Sequence, residues 1–273
     1  MPQTFPTLCG SYAVRPSTVG VQCHNAGYRA LGLDYTYVAF YVGEDDLEMA
    51  VQAIRALHMR GVGITMPHKT AIIPYLDELS PEAEATGSVN TVVNDDGKLT
   101  GYNMDWVAAK EALEAVTSLD GKDAVLVGAG GVARSFAYLL ATGGARVRVY
   151  NRTVERATAL VEEFGLVGAY AVDALPQVGD YDVLINATSV GYHNFEDTVV
   201  PQAVLRPGTV VMDVVAEPME TLLMAQAKAK GAQCVPGHQM RLLQAVKQFE
   251  LYTGVPAPVE VMREALERAT SRH

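Results

Sequence analysis

The chain has 273 residues, 49% hydrophobic and 19% charged, with a formal charge of −10. This is ordinary globular composition, which excludes collagen-like and disordered chains and leaves room for one large domain or two smaller ones. The acidic balance argues against nucleic acid and anionic membrane surfaces as partners, and no apolar run approaches the roughly 18 residues needed to cross a bilayer.

The opening MPQTFPTLCG has no basic start followed by an apolar stretch, so no secretory signal is expected. Residues 35–40 (YTYVAF) are aromatic and β-branched and predict a strand. Residues 44–59 carry apolar positions at helical spacing behind an acidic first turn and predict a helix. Residues 61–66 (GVGITM) form a short buried-type strand, with Pro67 placed to open the next helix. Residues 88–94 (SVNTVVN) predict another strand, turned at Asp95-Asp96-Gly97. From Asp123 the run DAVLVGAGGVARSFAYLLATGGARVRVYNRT reads as strand, glycine turn, helix and strand, the size of one βαβ unit. Strands over 182–186 and 209–214, and helices over 219–230, 240–252 and 258–269, complete the pattern. A domain boundary is expected within 106–122. Cys9, Cys23 and Cys234 have neither metal-ligand nor CxxC spacing, so no metal is expected, and a reduced cytoplasmic protein fits.

The glycine turn, Gly128-Ala129-Gly130-Gly131-Val132-Ala133, fits G-x-G-x-x-[GA]. That pattern is weak by itself, since glycines also mark plain turns, but here it follows an apolar strand and opens a helix. Gly128 permits the tight turn, Gly130 lets the backbone approach a pyrophosphate, and Ala133 permits close helix–strand packing. The helix N-terminus then offers amide donors and positive dipole to the phosphates. An NAD site places an acid near the end of the second strand to hold the ribose 2′-hydroxyl. This chain has Asn151-Arg152-Thr153 there, with Arg156 one turn on, and no acid at the strand end. Arg152 offers a planar fork of donors to a 2′-phosphate, so NADP is the expected cofactor. The plain alternative is that both arginines are solvated surface residues.

Three polar segments cluster earlier: Thr65-Met66-Pro67-His68-Lys69, Ser88-Val89-Asn90-Thr91 and Gly101-Tyr102-Asn103-Met104-Asp105. Taken singly, such a lysine is usually a surface residue and such an aspartate a helix cap. Taken together and in order, the set resembles the shikimate dehydrogenase family. The family's G-x-N-V-T-x-P-x-K appears as Gly61 to Lys69 with Gly63 in place of the asparagine. Its G-[AS]-V-N-T appears at Gly87 to Thr91, and its G-x-N-T-D at Gly101 to Asp105 with Met104 for the threonine. The glycine loop, N-R-T-x-x-R (Asn151 to Arg156), N-A-T-S-x-G (Asn186 to Gly191) and a terminal helix with Gln244 before Thr253-Gly254 follow.

The resemblance implies an α/β protein with an N-terminal α/β substrate domain, a Rossmann-type NADP-binding domain and C-terminal helices returning to the first. The expected division is 1–105 plus 237–273 for the substrate domain and 106–236 for the cofactor domain. It implies Lys69 and Asp105 acting on the reacting hydroxyl, with Asn90, Asn103, Gln244 and Thr65 around the substrate. Thr188 and Gly237 are expected on the cofactor side. Oxidising a secondary alcohol requires a proton to leave oxygen while hydride leaves carbon, work suited to a buried lysine beside a carboxylate. Asn90 and Asn103 suit a polyol, because an amide both donates and accepts.

Two departures fall on carboxylate recognition. The family's Ser-x-Ser, counted back from His24-Asn25, reads Thr18 and Gly20, with Arg15-Pro16-Ser17 nearby. Its D-x-x-Y reads Asp213 to Ala216. This is similar to the divergent shikimate dehydrogenase-like branch. Three explanations stand open: Arg15 or Ser17 with Thr18 restores the donors, the substrate is another cyclic hydroxy-acid or ketone such as quinate or aminoshikimate, or the pocket holds a bulkier ligand. A related plan, methylenetetrahydrofolate dehydrogenase, fits the Lys69, Asn90, Asn103 and Asp105 set less well. A non-catalytic NADPH-binding regulatory protein is the reading from another class. The expectation is an NADP-dependent oxidoreductase interconverting a shikimate-type alicyclic hydroxy-acid and its 3-keto form, as a monomer or homodimer.

Overall fold

The protein is described here by a computed structural model covering residues 5–192 and 194–270. The chain divides into two compact units, one of residues up to Met104 with those from Gln244 onward, the other Asp105–Leu243.

The first unit opens with β1 (Thr7–Ala13), α1 (Thr18–Ala30), β2 (Tyr35–Tyr41) and α2 (Leu47–Ala56). Then come β3 (Gly61–Ile64), the single turn α3 (His68–Ala71), β4 (Glu78–Leu79), α4 (Pro81–Thr86), β5 (Thr91–Asp95) and β6 (Lys98–Tyr102). The sheet runs β2-β1-β3-β5-β6-β4. It is mixed: β1 pairs parallel with β2 and β3, β4 parallel with β6, and β5 antiparallel with both neighbours. The β5–β6 turn is tight because Asp96 and Gly97 both take positive φ, 52° and 96°, the geometry a two-residue hairpin favours.

Some boundaries differ from the sequence expectation. The helix predicted from Glu44 starts as a 3-10 turn and ends at Ala56, followed by His58 at φ 50°. The strand predicted from Ser88 starts at Thr91. The three preceding residues cross the ends of other elements instead: Val89 N–H donates to Lys69 O, Asn90 N–H to Tyr102 O, and Ile64 N–H to Asn90 O.

The second unit holds most of α5 (Met104–Glu114), then β7 (Asp123–Val127), α6 (Gly131–Thr142), β8 (Arg146–Asn151), α7 (Val154–Phe164) and β9 (Gly168–Ala171). It continues with β10 (Val183–Asn186), β11 (Val210–Asp213), α8 (Leu222–Ala229) and β12 (Gln233–Val235). Its six strands are all parallel, in the order β9-β8-β7-β10-β11-β12. Counted from β7 this is the 3-2-1-4-5-6 order of the doubly wound dinucleotide-binding fold. The central strands read as unbroken apolar runs because both faces are covered. Ala124, Leu126, Ile185 and Met212 pack with Phe136 and Leu140 of α6, while Val125, Leu184 and Val211 pack with Leu223 and Met224 of α8.

Helix α9 (Gly237–Thr253) begins in the second unit, where Met240 joins the core, and its later turns belong to the first. There Phe249 of α9 stacks on Tyr28 of α1, and α10 (Val259–Thr270) packs against the same helix. Gly27 makes that approach possible, since a Cβ there would sit 2.8 Å from Phe249 and 3.2 Å from Met262. No helix among the described residues is long and apolar enough to cross a membrane.

Candidate active site

The glycine loop lies where the strand order reverses, at the carboxyl ends of β7 and β10, the place where such sheets bind ligands. Gly128 has φ 116°, and a Cβ on it would come 2.9 Å from Ala187 O. Both facts demand glycine. Gly130 and Gly131 behave differently: a Cβ on either would meet nothing within 4 Å. The space beside them is open, and α6 begins there with no side-chain cap on its N-terminal amides. Ala133, fully buried, packs α6 onto the sheet. Ala129 is half-buried, and Val132 packs against the same core.

At the end of β8 the Asn151 amide donates to Thr153 O at 2.8 Å and shapes the turn into α7. Arg152 and Arg156 are exposed and form no ion pair with the described residues. Their neighbours on the unit are engaged: Arg134 with Glu163, Arg146 with Asp123, and Arg206 with Asp180. An uncommitted guanidinium just past a strand end without an acid, with a second in the first turn of α7, fits a 2′-phosphate, and the uncapped helix start beside Gly130 fits a pyrophosphate.

A buried network closes the ends of β10 and β11. The Asn186 amide donates to Asp213 Oδ1 at 2.9 Å, and its Oδ1 accepts from the Thr188 hydroxyl at 2.7 Å and Thr188 N–H at 3.1 Å. Asp213 also accepts from Thr221 Oγ1 at 2.6 Å and Val215 N–H at 3.1 Å. Burial pushes the Asp213 carboxyl upward, against the pull of those donors. Thr188 is thus held by a chain running through Asn186 to Asp213. Gly237 has a packing duty as well, since a Cβ there would lie 2.3 Å from Val215 O.

In the first unit, Asn90 and Asn103 are buried to 1% and 0% exposure. Asn103 donates to Thr86 Oγ1 at 2.8 Å. Asn90 Oδ1 accepts from Met104 N–H at 2.8 Å and from Thr91 Oγ1 at 2.9 Å, while its Nδ2 has no partner among the described residues. The amide therefore does not offer both faces, as the sequence suggests; its acceptor is used, and only a donor remains. Lys69, half-buried on α3, is tied to this segment through Val89, and Thr65 N–H is held by Tyr12 O. Asp105 is buried in the first turn of α5, two residues after Asn103.

Gln244 is half-buried on α9. One turn later, Gln248 is buried and donates to Thr91 Oγ1 at 2.8 Å. Sequence reasoning passes over Gln248 and gives Thr91 a place in a motif but no role; the available signal for Gln248 is a second glutamine four residues after Gln244, on the same helix face. Ser17, one of the expected substrate donors, caps α1 by accepting from Val19 N–H. Thr18 and Arg15 are exposed, and the space around Gly20 is open.

The order of the second sheet and the glycine loop at its switch point define a protein with a Rossmann-type dinucleotide-binding unit. Family descriptions match in succession: a shikimate dehydrogenase substrate binding domain over residues 12–92, shikimate/quinate 5-dehydrogenase over 109–220, and a shikimate 5′-dehydrogenase C-terminal domain over 237–267. The chain is 46% identical to the shikimate dehydrogenase (NADP+) of Pyrococcus furiosus over 241 residues, 88% of this chain and 87% of that one. It resembles a crystal structure of a shikimate dehydrogenase in complex with NADP+ at TM-score 0.90 and 34% identity, covering 99% of this chain and 98% of the other. The Thermus thermophilus shikimate 5-dehydrogenase in complex with NADP(H) and shikimate gives TM-score 0.88 and 34% identity, over 97% of this chain and 100% of that one. The chain belongs to the shikimate dehydrogenase family.

Proposed function

We propose that the protein catalyses the reversible NADP-dependent oxidation of shikimate, or a close alicyclic hydroxy-acid, to its 3-keto form. The observation that carries this is the Asn90 amide: buried, with its acceptor filled and its donor unmet, in the segment whose backbone holds Lys69. A buried donor without a partner costs roughly 1–3 kcal/mol, which a ligand oxygen would recover. The ordered family motifs and the NADP-bound relatives support the same reading.

NADP+ supplies the hydride acceptor. The chain's own residues do the rest. The open space at Gly130 and Gly131 takes the pyrophosphate against the start of α6, and Arg152 and Arg156 take the 2′-phosphate. Asn90, Asn103 and Gln244, with Thr65, Ser17 and Thr18, hold the hydroxy-acid. As hydride leaves the carbinol carbon, the single hydroxyl proton passes to one member of the Lys69–Asp105 pair while the other orients it and shares the charge; in the reverse direction the pair returns that proton to the forming alkoxide. A cytoplasmic setting, as a monomer or homodimer, belongs to the proposal.

The test is steady-state turnover of shikimate with NADP+ and with NAD+, followed by absorbance of the reduced cofactor. Lys69→Ala is expected to lower kcat about 10²- to 10⁴-fold, the range for losing general acid–base catalysis, with NADP+ affinity nearly unchanged. An unreactive wild-type protein, or a Lys69→Ala variant as fast as wild type, refutes the assignment.

A further inference from the structure

We infer that Gln248 and Thr91 form a positioning relay that fixes which face of the Asn90 amide meets the substrate. The inference deepens the function proposed above and rests on its reading of Asn90 as a substrate residue.

All three side chains are buried, Gln248 to 4%, Thr91 to 0% and Asn90 to 1% exposure. A hydroxyl has one proton to give. Gln248 Nε2 donates to Thr91 Oγ1 at 2.8 Å, leaving that proton for Asn90 Oδ1 at 2.9 Å. Met104 N–H adds a second donor to the same oxygen at 2.8 Å. Rotating the Asn90 amide by half a turn would set its NH2 against the Met104 N–H, donor against donor. One orientation survives, with Nδ2 presented as a donor. Gly63 is the direct antiparallel partner of Thr91, so their side chains would share a face. A Cβ on Gly63 would meet Gln248 Nε2 at an ordinary contact distance, 3.5 Å, and crowd Tyr37 Oη at 2.9 Å, so it is the Tyr37 hydroxyl that the missing side chain accommodates.

The relay commits this point of the site to an oxygen acceptor on the ligand and sets it against an ammonium group. Its residues touch Asn90, so they act through it.

The experiment is a set of cycles on the full-length protein with shikimate and NADP+: Asn90→Ala, Thr91→Val, Gln248→Leu, and each of the last two combined with Asn90→Ala. Thr91→Val is expected to lower kcat/KM for shikimate about tenfold and Gln248→Leu about threefold, the range for one internal hydrogen bond. KM for NADP+ should stay within about twofold, and Thr91→Ser, which keeps the hydroxyl, should recover most of the loss. In the Asn90→Ala background both variants should add less than about twofold, because the group they orient is gone. If Asn90→Ala costs nothing, the substrate reading itself fails and takes the relay with it. If Asn90→Ala is costly while Thr91→Val and Gln248→Leu are silent, or their losses add fully to it, the relay alone is wrong. Should Thr91→Val fail to fold, Gln248→Leu and Gln248→Met carry the same comparison.

Discussion

Removing the Arg152 guanidinium separates the two dinucleotides. The side chain is exposed, has no ion pair with the described residues, and stands at the end of β8 where an NAD site would carry an acid. Nothing in the fold leans on it, so Arg152→Ala should leave the melting temperature unchanged. A hydrogen bond to a charged group contributes about 1.5–3 kcal/mol, or roughly ten- to a hundredfold in affinity. Solvent exposure argues for the lower end, and Arg156 one turn on recovers part of the loss. KM for NADP+ should therefore rise about tenfold in Arg152→Ala and further in the double variant with Arg156→Ala, while KM for NAD+ moves less than about twofold. The wild-type preference for NADP+ should shrink as salt is raised, since an exposed ion contact is screened over about 8–10 Å at physiological ionic strength. The assay is initial velocity against each cofactor at fixed shikimate, at two salt concentrations. An equal loss for NAD+ and NADP+ would mean that the 2′-phosphate is not read here.

Two glycines of the same loop should respond differently. Gly128→Ala forces a side chain into φ 116° and toward the Ala187 carbonyl, so thermal melting should fall by several degrees. Gly130→Ala meets no protein atom, so melting should hold while NADP+ affinity falls; a melting loss at Gly130 would contradict the open space. His24 supplies a pH test. Burial pushes its pKa down to about 4 from the ordinary 6.5, so the unfolded chain binds more protons across that interval. Stability should be present above pH 6.5 and drain away toward pH 4, by about 2 kcal/mol between pH 7 and 5. Urea titrations of wild type and His24→Asn at those two pH values should show that part of the slope only in the wild type. An equal slope in both would show that His24 is not the group responsible.

The second unit was legible in the sequence because its physics is local. Parallel strands buried on both faces require unbroken apolar runs, and a phosphate-binding turn requires small residues between a strand and a helix, so 124–127 and Gly128 to Ala133 announce themselves. The Asp95-Asp96-Gly97 turn is legible for the same reason: two consecutive positive φ angles select those residue types. The first unit hides more. No periodicity marks β1, where Gly10 interrupts the apolar pattern; a Cβ there would strike Val38 O at 2.5 Å, a constraint set by a neighbouring strand. Nor does the sequence say that the first sheet is mixed, since pairing direction depends on connections rather than composition. The Gln248–Thr91–Asn90 chain joins residues more than 150 positions apart. Residue types named the parts of the site, but which amide faces outward was decided only by donors that folding brings to its other side.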